Sequence, residues 1–171
     1  MKAENAEIWA NDRVARGMAQ WRHERPDIDC SGKAVVGRIL HLHDIILNAV
    51  DRTLARHGLK YPAYAVLATL RVAGSPYRMS PGELLETLLL SSGGLSNLLR
   101  RMEKEGLIQR MADERDGRGV IVELTVTGRK IADAAMADHA RIERELVSIL
   151  PPEMRELTAD ALGMMIAASE R

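Results

Sequence analysis

The stretch from Ser80 to Leu124 constrains this chain most, because its spacing predicts two short helices joined by a tight turn and then a β-hairpin. Ser80-Pro81-Gly82-Glu83 combines a serine N-cap, a proline at the first helical position and a glutamate three residues after the cap, which together make a capping box. A helix starts here, with Leu84, Leu85 and Leu88 as its apolar stripe. The run Ser91-Ser92-Gly93-Gly94 interrupts it with cap and turn chemistry. In the next helix Leu95, Leu98, Leu99 and Met102 fall at i, i+3, i+4 and i+7 and share the face that packs inward. Ser96, Asn97, Arg100, Arg101 and Lys104 are left outside.

That outward set has the chemistry of a major-groove reader. Asparagine pairs with adenine through two hydrogen bonds, arginine with guanine or a phosphate, and serine with base edges or phosphate. The missing Cβ atoms of Gly93 and Gly94 let the helix N-terminus and its free N–H groups approach a phosphate backbone. The competing reading is a solvated face on which Arg100, Arg101 and Lys104 are balanced by Glu103 and Glu105.

The residues after this helix favour the major-groove reading. Gly106 ends the helix, Leu107-Ile108-Gln109-Arg110-Met111 reads as a strand entering a hairpin, and Val120 to Leu124 alternates as a half-buried return strand. Between them lies Asp113-Glu114-Arg115-Asp116-Gly117-Arg118-Gly119, which has no apolar residue to bury. Asp-Gly supplies a turn, and Asp116 stands close enough along the chain to pair with Arg118 and fix its direction, as suits an arginine entering a narrow minor groove.

In Leu90-Ser91-Ser92-Gly93-Gly94-Leu95-Ser96-Asn97, in Arg101-Met102-Glu103-Lys104-Glu105-Gly106-Leu107-Ile108, in the loop Asp113 to Val120 and in Leu124-Thr125-Val126-Thr127-Gly128, the chain resembles the MarR family of winged helix-turn-helix transcription regulators. The resemblance covers roughly residues 33 to 170. It implies a mainly α fold with a small β-hairpin wing, that is, a winged helix-turn-helix with N- and C-terminal dimerisation helices. It also implies that the second helix lies in the major groove and that the wing arginine, braced by Asp116, enters the minor groove. The candidate DNA-binding set is Ser91, Ser92, Gly93, Gly94, Ser96, Asn97, Arg100, Arg101, Arg115, Asp116 and Arg118.

A chain of 171 residues suits one domain with a sizeable core, and 46% apolar content without any Phe suits helices packed on helices. No apolar run is long enough to span a membrane and residues 1 to 25 are charged throughout, so the expected location is the cytoplasm. The 24 basic and 24 acidic residues are the main observation against DNA binding, since free-standing DNA-binding domains are usually basic. Placement offsets it: the arginines gather on the proposed reading surface, while Glu143, Glu145, Glu153 and Glu156 lie far along the chain. A bipolar molecule with steeply salt-dependent attraction to DNA is the expectation.

The chain divides into four segments: an N-terminal helix and connector over 1–32, a scaffold helix over 33–58, the winged region over 59–126 and terminal helices over 127–171. The first helix is expected over residues 4 to 22, with Ile8, Val14, Met18 and Trp21 as its apolar positions and Pro26 as its stop. Such an extension resembles the subgroup of urate-responsive and PecS-like regulators. The scaffold helix carries Val36, Ile39, Leu40, His43, Ile46, Leu47, Val50 and Leu54 on one face, where His43 is either a hydrogen-bonded core residue or the lining of a small pocket. His41 and His43, two apart on a helix, point in different directions and no matching thiolate or histidine accompanies them, so no metal and no cofactor are expected. Cys30 is the only cysteine, which excludes an internal disulfide; Asp27 and Asp29 beside it oppose thiolate formation, so a passive thiol is favoured over a redox sensor.

Tyr61-Pro62-Ala63-Tyr64 opens a helix with Val66, Leu67 and Leu70 inward, and Thr125 or Thr127 caps a long helix that Pro151-Pro152 breaks before a last one. The apolar stripes on these terminal helices exceed what a small winged domain covers, which points to another chain, and the resemblance implies that it is a second copy of this one. A two-fold dimer reads half-sites about one helical turn apart, roughly 10 base pairs, in a pseudo-palindromic duplex.

An enzyme fits poorly, because no spacing links a nucleophile to a base and no phosphate-binding glycine motif occurs. A winged helix that binds protein partners fits less well than a DNA reader, since Asn97, Arg100 and Arg118 are polar where a protein interface favours apolar surface. The expected function is a dimeric regulator of transcription, a repressor released by a small-molecule effector that the sequence does not identify. Trp21 and Arg110 match the urate-contacting tryptophan and strand arginine of the resembling subgroup, whereas Ala65 and Leu98 stand where its aspartate and second arginine are. Each unmatched buried polar edge costs about 1 to 3 kcal/mol, so urate is expected to bind weakly and a different small aromatic or carboxylate-bearing molecule is expected near Trp21, His43 and Arg110.

Overall fold

The computed structural model describes residues 12–88, 91–113 and 119–170. The chain divides into two compact units, Met1–Asn48 and Ala49–Arg171, and the boundary falls inside a helix.

In the first unit, α1 (Arg13–Glu24) starts where the Asp12 carboxylate accepts from the Val14 N–H at 2.8 Å, and it runs two residues beyond the expected end before Pro26 stops it. Residues 4 to 11 of the anticipated helix, Ile8 among them, lie outside the described residues. The second helix, α2 (Lys33–Ala55), begins after Asp29 has accepted from both the N–H and the hydroxyl of Ser31. Helix α1 packs close on α2: a Cβ at Gly37 would stand 2.9 Å from a Val14 methyl. Arg38 donates to Asp12 at 2.7 Å and to the Ala34 carbonyl at 2.6 Å, tying the α1 cap to α2. Cys30 is buried, with its Sγ 4.0 Å from the Met18 carbonyl oxygen.

The second unit is the winged helix-turn-helix. Gly58, at φ +69°, ends the α2 region. Helix α3 (Tyr61–Val72) buries Val66, Leu67 and Leu70 completely, as the spacing predicts. Next along the chain is β1 (Arg78–Met79), a strand too short for any periodicity to announce. Helix α4 (Pro81–Thr87) carries both halves of the capping box, with Ser80 Oγ accepting from the Glu83 N–H at 3.2 Å and the Glu83 carboxylate accepting from the Ser80 N–H at 2.6 Å. Helix α5 (Ser92–Lys104) buries Leu95, Leu98, Leu99 and Met102. Gly93 and Gly94 lie inside its first turn rather than in the turn before it, because Ser91 caps the helix by accepting from the Gly94 N–H at 3.2 Å.

Strands β2 (Ile108–Ala112) and β3 (Val120–Leu124) pair antiparallel with Arg110 opposite Val122, and β1 adds to the far side of β3 through Met79 opposite Val122. The anticipated hairpin is therefore two strands of a three-stranded sheet, ordered β1-β3-β2. Val122 and Leu124 face the core, while Val120 at the distal end is exposed.

Helix α6 (Val126–Val147) runs along α3, where Tyr64 stacks on His139 at 4.6 Å, His57 meets Asp138 at 2.9 Å and Arg71 donates to Asp133 at 2.6 Å. The Tyr77 ring, on a residue at φ +63°, has the guanidinium groups of Arg71 and Arg129 at 5.0 and 5.2 Å from its centroid. Helix α7 (Pro152–Ser169) buries none of its residues in the single chain. No helix among the described residues is long and apolar enough to cross a membrane.

One joint fixes the winged region to α6. Thr125 Oγ1 donates to the Gly106 carbonyl at 2.7 Å and accepts from the Gly128 N–H at 2.9 Å, while the Thr125 N–H donates to the Leu107 carbonyl at 3.2 Å. A Cβ on Gly128 would sit 1.8 Å from the Leu107 carbonyl oxygen, closer than atoms can approach. Alanine in a helix is ordinarily favoured over glycine by about 1 kcal/mol. Here Gly128→Ala is expected to do the reverse and lower the thermal unfolding midpoint by roughly 5 to 10 °C, read by circular dichroism. An unchanged or raised midpoint would show that the joint yields.

The Asp12 carboxylate supplies a pH dependence. Its partial burial raises its pKa, but the Val14 N–H and the Arg38 guanidinium outweigh that and hold it below its ordinary value. A depressed folded pKa stabilises the fold above the unfolded carboxylate value, and the contribution is lost as pH falls through the folded value. Asp12→Asn keeps a capping oxygen and removes the charge. At neutral pH it should accelerate hydrogen exchange of the α1 amides several-fold, and the difference from the native chain should vanish once the pH is well below the carboxylate range. A difference that persists in acid would assign the effect to packing.

Candidate nucleic-acid interface

Because Leu95, Leu98, Leu99 and Met102 turn inward, helix geometry forces Ser96, Asn97 and Arg100 onto one exposed face of α5. The N-terminal end of that face carries Ser91 as cap and Ser92, Gly93 and Gly94 in the first turn, all exposed. The first-turn N–H groups and the positive end of the helix dipole therefore meet solvent beside the reading residues. Arg100 Nη1 donates to Asn97 Oδ1 at 3.0 Å, so the partner of this guanidinium is a neutral amide and its charge stays available to an anion. Arg101 lies round the side of the helix, 3.7 Å from Glu105, where both line a small cleft with Gly58, Lys60 and Ala63.

The wing begins and ends where the Asp113 N–H donates to the Gly119 carbonyl at 2.9 Å. Arg115, Asp116 and Arg118, the anticipated minor-groove set, lie outside the described residues. The strands nevertheless define where the loop leaves the sheet, with Ala112 opposite Val120 as the last pair.

Glu103 is the residue that sequence reasoning passes over. On α5 it counts only as a neighbour balancing arginines. In the structure its carboxylate accepts from Arg110 Nε at 2.8 Å, from Arg110 Nη2 at 2.5 Å and from the Arg110 backbone N–H at 3.2 Å. Hydrogen bonds from Arg110 outweigh desolvation and hold the Glu103 carboxyl below its usual range, and the same contact raises Arg110. The signal available in the sequence is a glutamate in the last helical turn with, beyond a glycine corner, an arginine on the next strand.

Of the expected effector residues, Trp21 and His43 belong to the first unit and Arg110 to the second. Arg110 is engaged by Glu103, and Leu98, where the resembling subgroup has an arginine, is buried against the core. Trp21 belongs to the first unit, 43% exposed, with Lys33 Nζ 4.1 Å above its ring. An open cavity of about 750 Å³ beside it is lined by Ala19, Gln20, His23, Glu24, Arg25 and Ile28. The His43 side chain is 61% exposed and 3.5 Å from Asp44 among the described residues, so it is not packed in a core there; Leu40, one turn earlier on α2, is 62% exposed.

A family model described as the MarR family matches residues 57–119, from the end of the α2 region to the wing. The HTH-type transcriptional regulator PecS of Dickeya dadantii is 32% identical over 144 residues, which span 84% of this chain and 87% of PecS. Two solved structures share the fold: AbsC, a MarR family transcriptional regulator from Streptomyces coelicolor, with TM-score 0.75 and 22% identity over 84% of this chain and 97% of AbsC, and MepR from S. aureus in complex with DNA, with TM-score 0.71 and 24% identity over 78% of this chain and 97% of MepR.

Proposed function

The chain belongs to the MarR family of transcription regulators, and from that premise we propose that it is a homodimeric, sequence-specific DNA-binding repressor that a small molecule releases from its operator. The observation that carries this reading is the exposed Ser96-Asn97-Arg100 face of α5, presented by a helix whose opposite side is buried and whose N-terminus is capped and open to solvent. MepR, which shares the fold, was solved in complex with DNA, and this supports DNA as the partner here.

In this reading Ser91 and the first-turn N–H groups meet phosphate, Asn97 and Arg100 meet base edges, and Arg101 meets the backbone to one side. Arg118, fixed by Asp116 and joined by Arg115, enters the minor groove. A second copy of the chain covers α7 and the exposed apolar side of α2, including Leu40, Leu47, Leu157, Met164 and Ile166. Surface of this extent on terminal helices supports an obligate interface rather than scattered exposure. The effector is a small aromatic or carboxylate-bearing molecule. The open cavity beside Trp21, where Lys33 lies over the indole ring, supports a flat aromatic molecule there; Arg25 at its edge is paired with Asp27, and Glu24 also lines it.

Fluorescence anisotropy with the duplex upstream of the chain's own gene tests the proposal. Saturable binding in the nanomolar to micromolar range is expected, with affinity falling steeply as salt rises. Arg118→Ala should weaken binding and flatten the salt dependence by about one unit of slope. Equal affinity for every duplex at every salt concentration would sink the regulator reading, and an unchanged slope in the variant would show that the wing stays off the DNA.

A further inference from the structure

We propose that Glu103 and Arg110 form a positioning clasp that holds the α5 reading face and the β2–β3 wing at one fixed angle, so that both meet the duplex together. The inference rests on the DNA-binding reading given above and assigns a role that the helix face alone does not contain. Helix α5 and strand β2 meet at a corner of only three residues, Glu105, Gly106 and Leu107, with Gly106 at φ +71°. The corner is closed by backbone bonds from the Gly106 N–H to the Glu103 carbonyl at 3.0 Å and from the Leu107 N–H to the Met102 carbonyl at 2.9 Å. Those bonds fix the end of the helix but leave the direction of the strand beyond Leu107 to other contacts.

Glu103 supplies one. One carboxylate oxygen accepts from the backbone N–H of Arg110 and the other from its guanidinium, so the side chain grips main chain and side chain of the same strand residue. Strand β2 is an edge of the sheet, bonded to β3 on one side only, and Glu103 occupies part of its other side. An acceptor from the recognition helix thus satisfies an edge donor that no strand pairs with. Tilting α5 against the wing requires breaking all three bonds together. The pair is partly exposed on both sides, with about a third of each side chain accessible. A pair in such surroundings contributes little to global stability. Its geometry is more elaborate than stability requires, and geometry is what two-groove binding needs: the wing adds affinity only while the helix is seated.

The test uses the full-length protein and the same upstream duplex. Glu103→Gln is expected to weaken binding about tenfold while moving the unfolding midpoint by no more than about 4 °C. In the Glu103→Gln background, Arg118→Ala should add little, because the wing is already misaligned; in the native background it retains its full effect. Arg110→Lys, which keeps the charge but only part of the fork, should fall between the native protein and Arg110→Ala. Native-like affinity for Glu103→Gln overturns the proposal. So does an Arg118→Ala effect of equal size in both backgrounds, which would make the two contributions independent, or one absent from the native background. A larger fall in the midpoint makes the pair a stability element and also overturns it. Failure of the native protein to bind any duplex removes the regulator reading itself, and the clasp with it.

Discussion

The winged region hangs on a backbone contact with no room in it: Gly128 of α6 against the carbonyl of Leu107, with Thr125 bonded to the main chain on both sides. Only glycine allows the first turn of α6 to lie on the corner where α5 becomes β2. Because that corner is seated on α6, the orientations of recognition helix and wing are both referred to the longest helix of the second unit. Helix α6 is in turn fixed to α3 by the Tyr64–His139 stack and the Arg71–Asp133 pair. A displacement of α6 therefore has few ways to be absorbed before it reaches α5 and the β2–β3 hairpin.

The parts of this arrangement that the sequence announces are those governed by local chemistry. The Ser80 capping box and the inward leucines of α5 each need only a few consecutive residues, and each stands in the structure as the spacing predicts. The Gly93-Gly94 pair lies in the helix rather than in the turn its chemistry suggests, because glycine is a turn signal only when no capping side chain precedes it, and Ser91 does. Strand β1 is illegible because two residues carry no period; it exists only because β3 offers an edge to pair with. Glu103 reads as a solvated charge, since nothing in a one-dimensional pattern brings a helix residue and a strand residue together across a corner. The wing tip is legible as sequence through Asp116 and Arg118, and stays a sequence inference.

The long helices show the opposite limit. Their apolar stripes are plain in the sequence, yet the single chain leaves α7 uncovered and much of α2 exposed. The expected core histidine, His43, lies on that uncovered face. Periodicity reports that a face wants burial and does not say by which chain. The same consideration explains why composition suggests a core larger than a winged domain holds.

The balanced net charge also changes meaning once the pairs are located. The charge that matters for a polyanion is the one projected at its surface, not the sum over the chain. On α5, Arg100 donates to a neutral amide and keeps its full charge, whereas Arg101 stands beside Glu105. Glu103 would place a carboxylate beside these arginines, but Arg110 bonds to both its oxygens and offsets its field at short range. The clasp thereby removes the one acid on the recognition helix from the electrostatic sum as it fixes the helix to the wing. A chain with equal numbers of acids and bases can present a basic reading face in this way, because its acids are occupied in holding the geometry of the site.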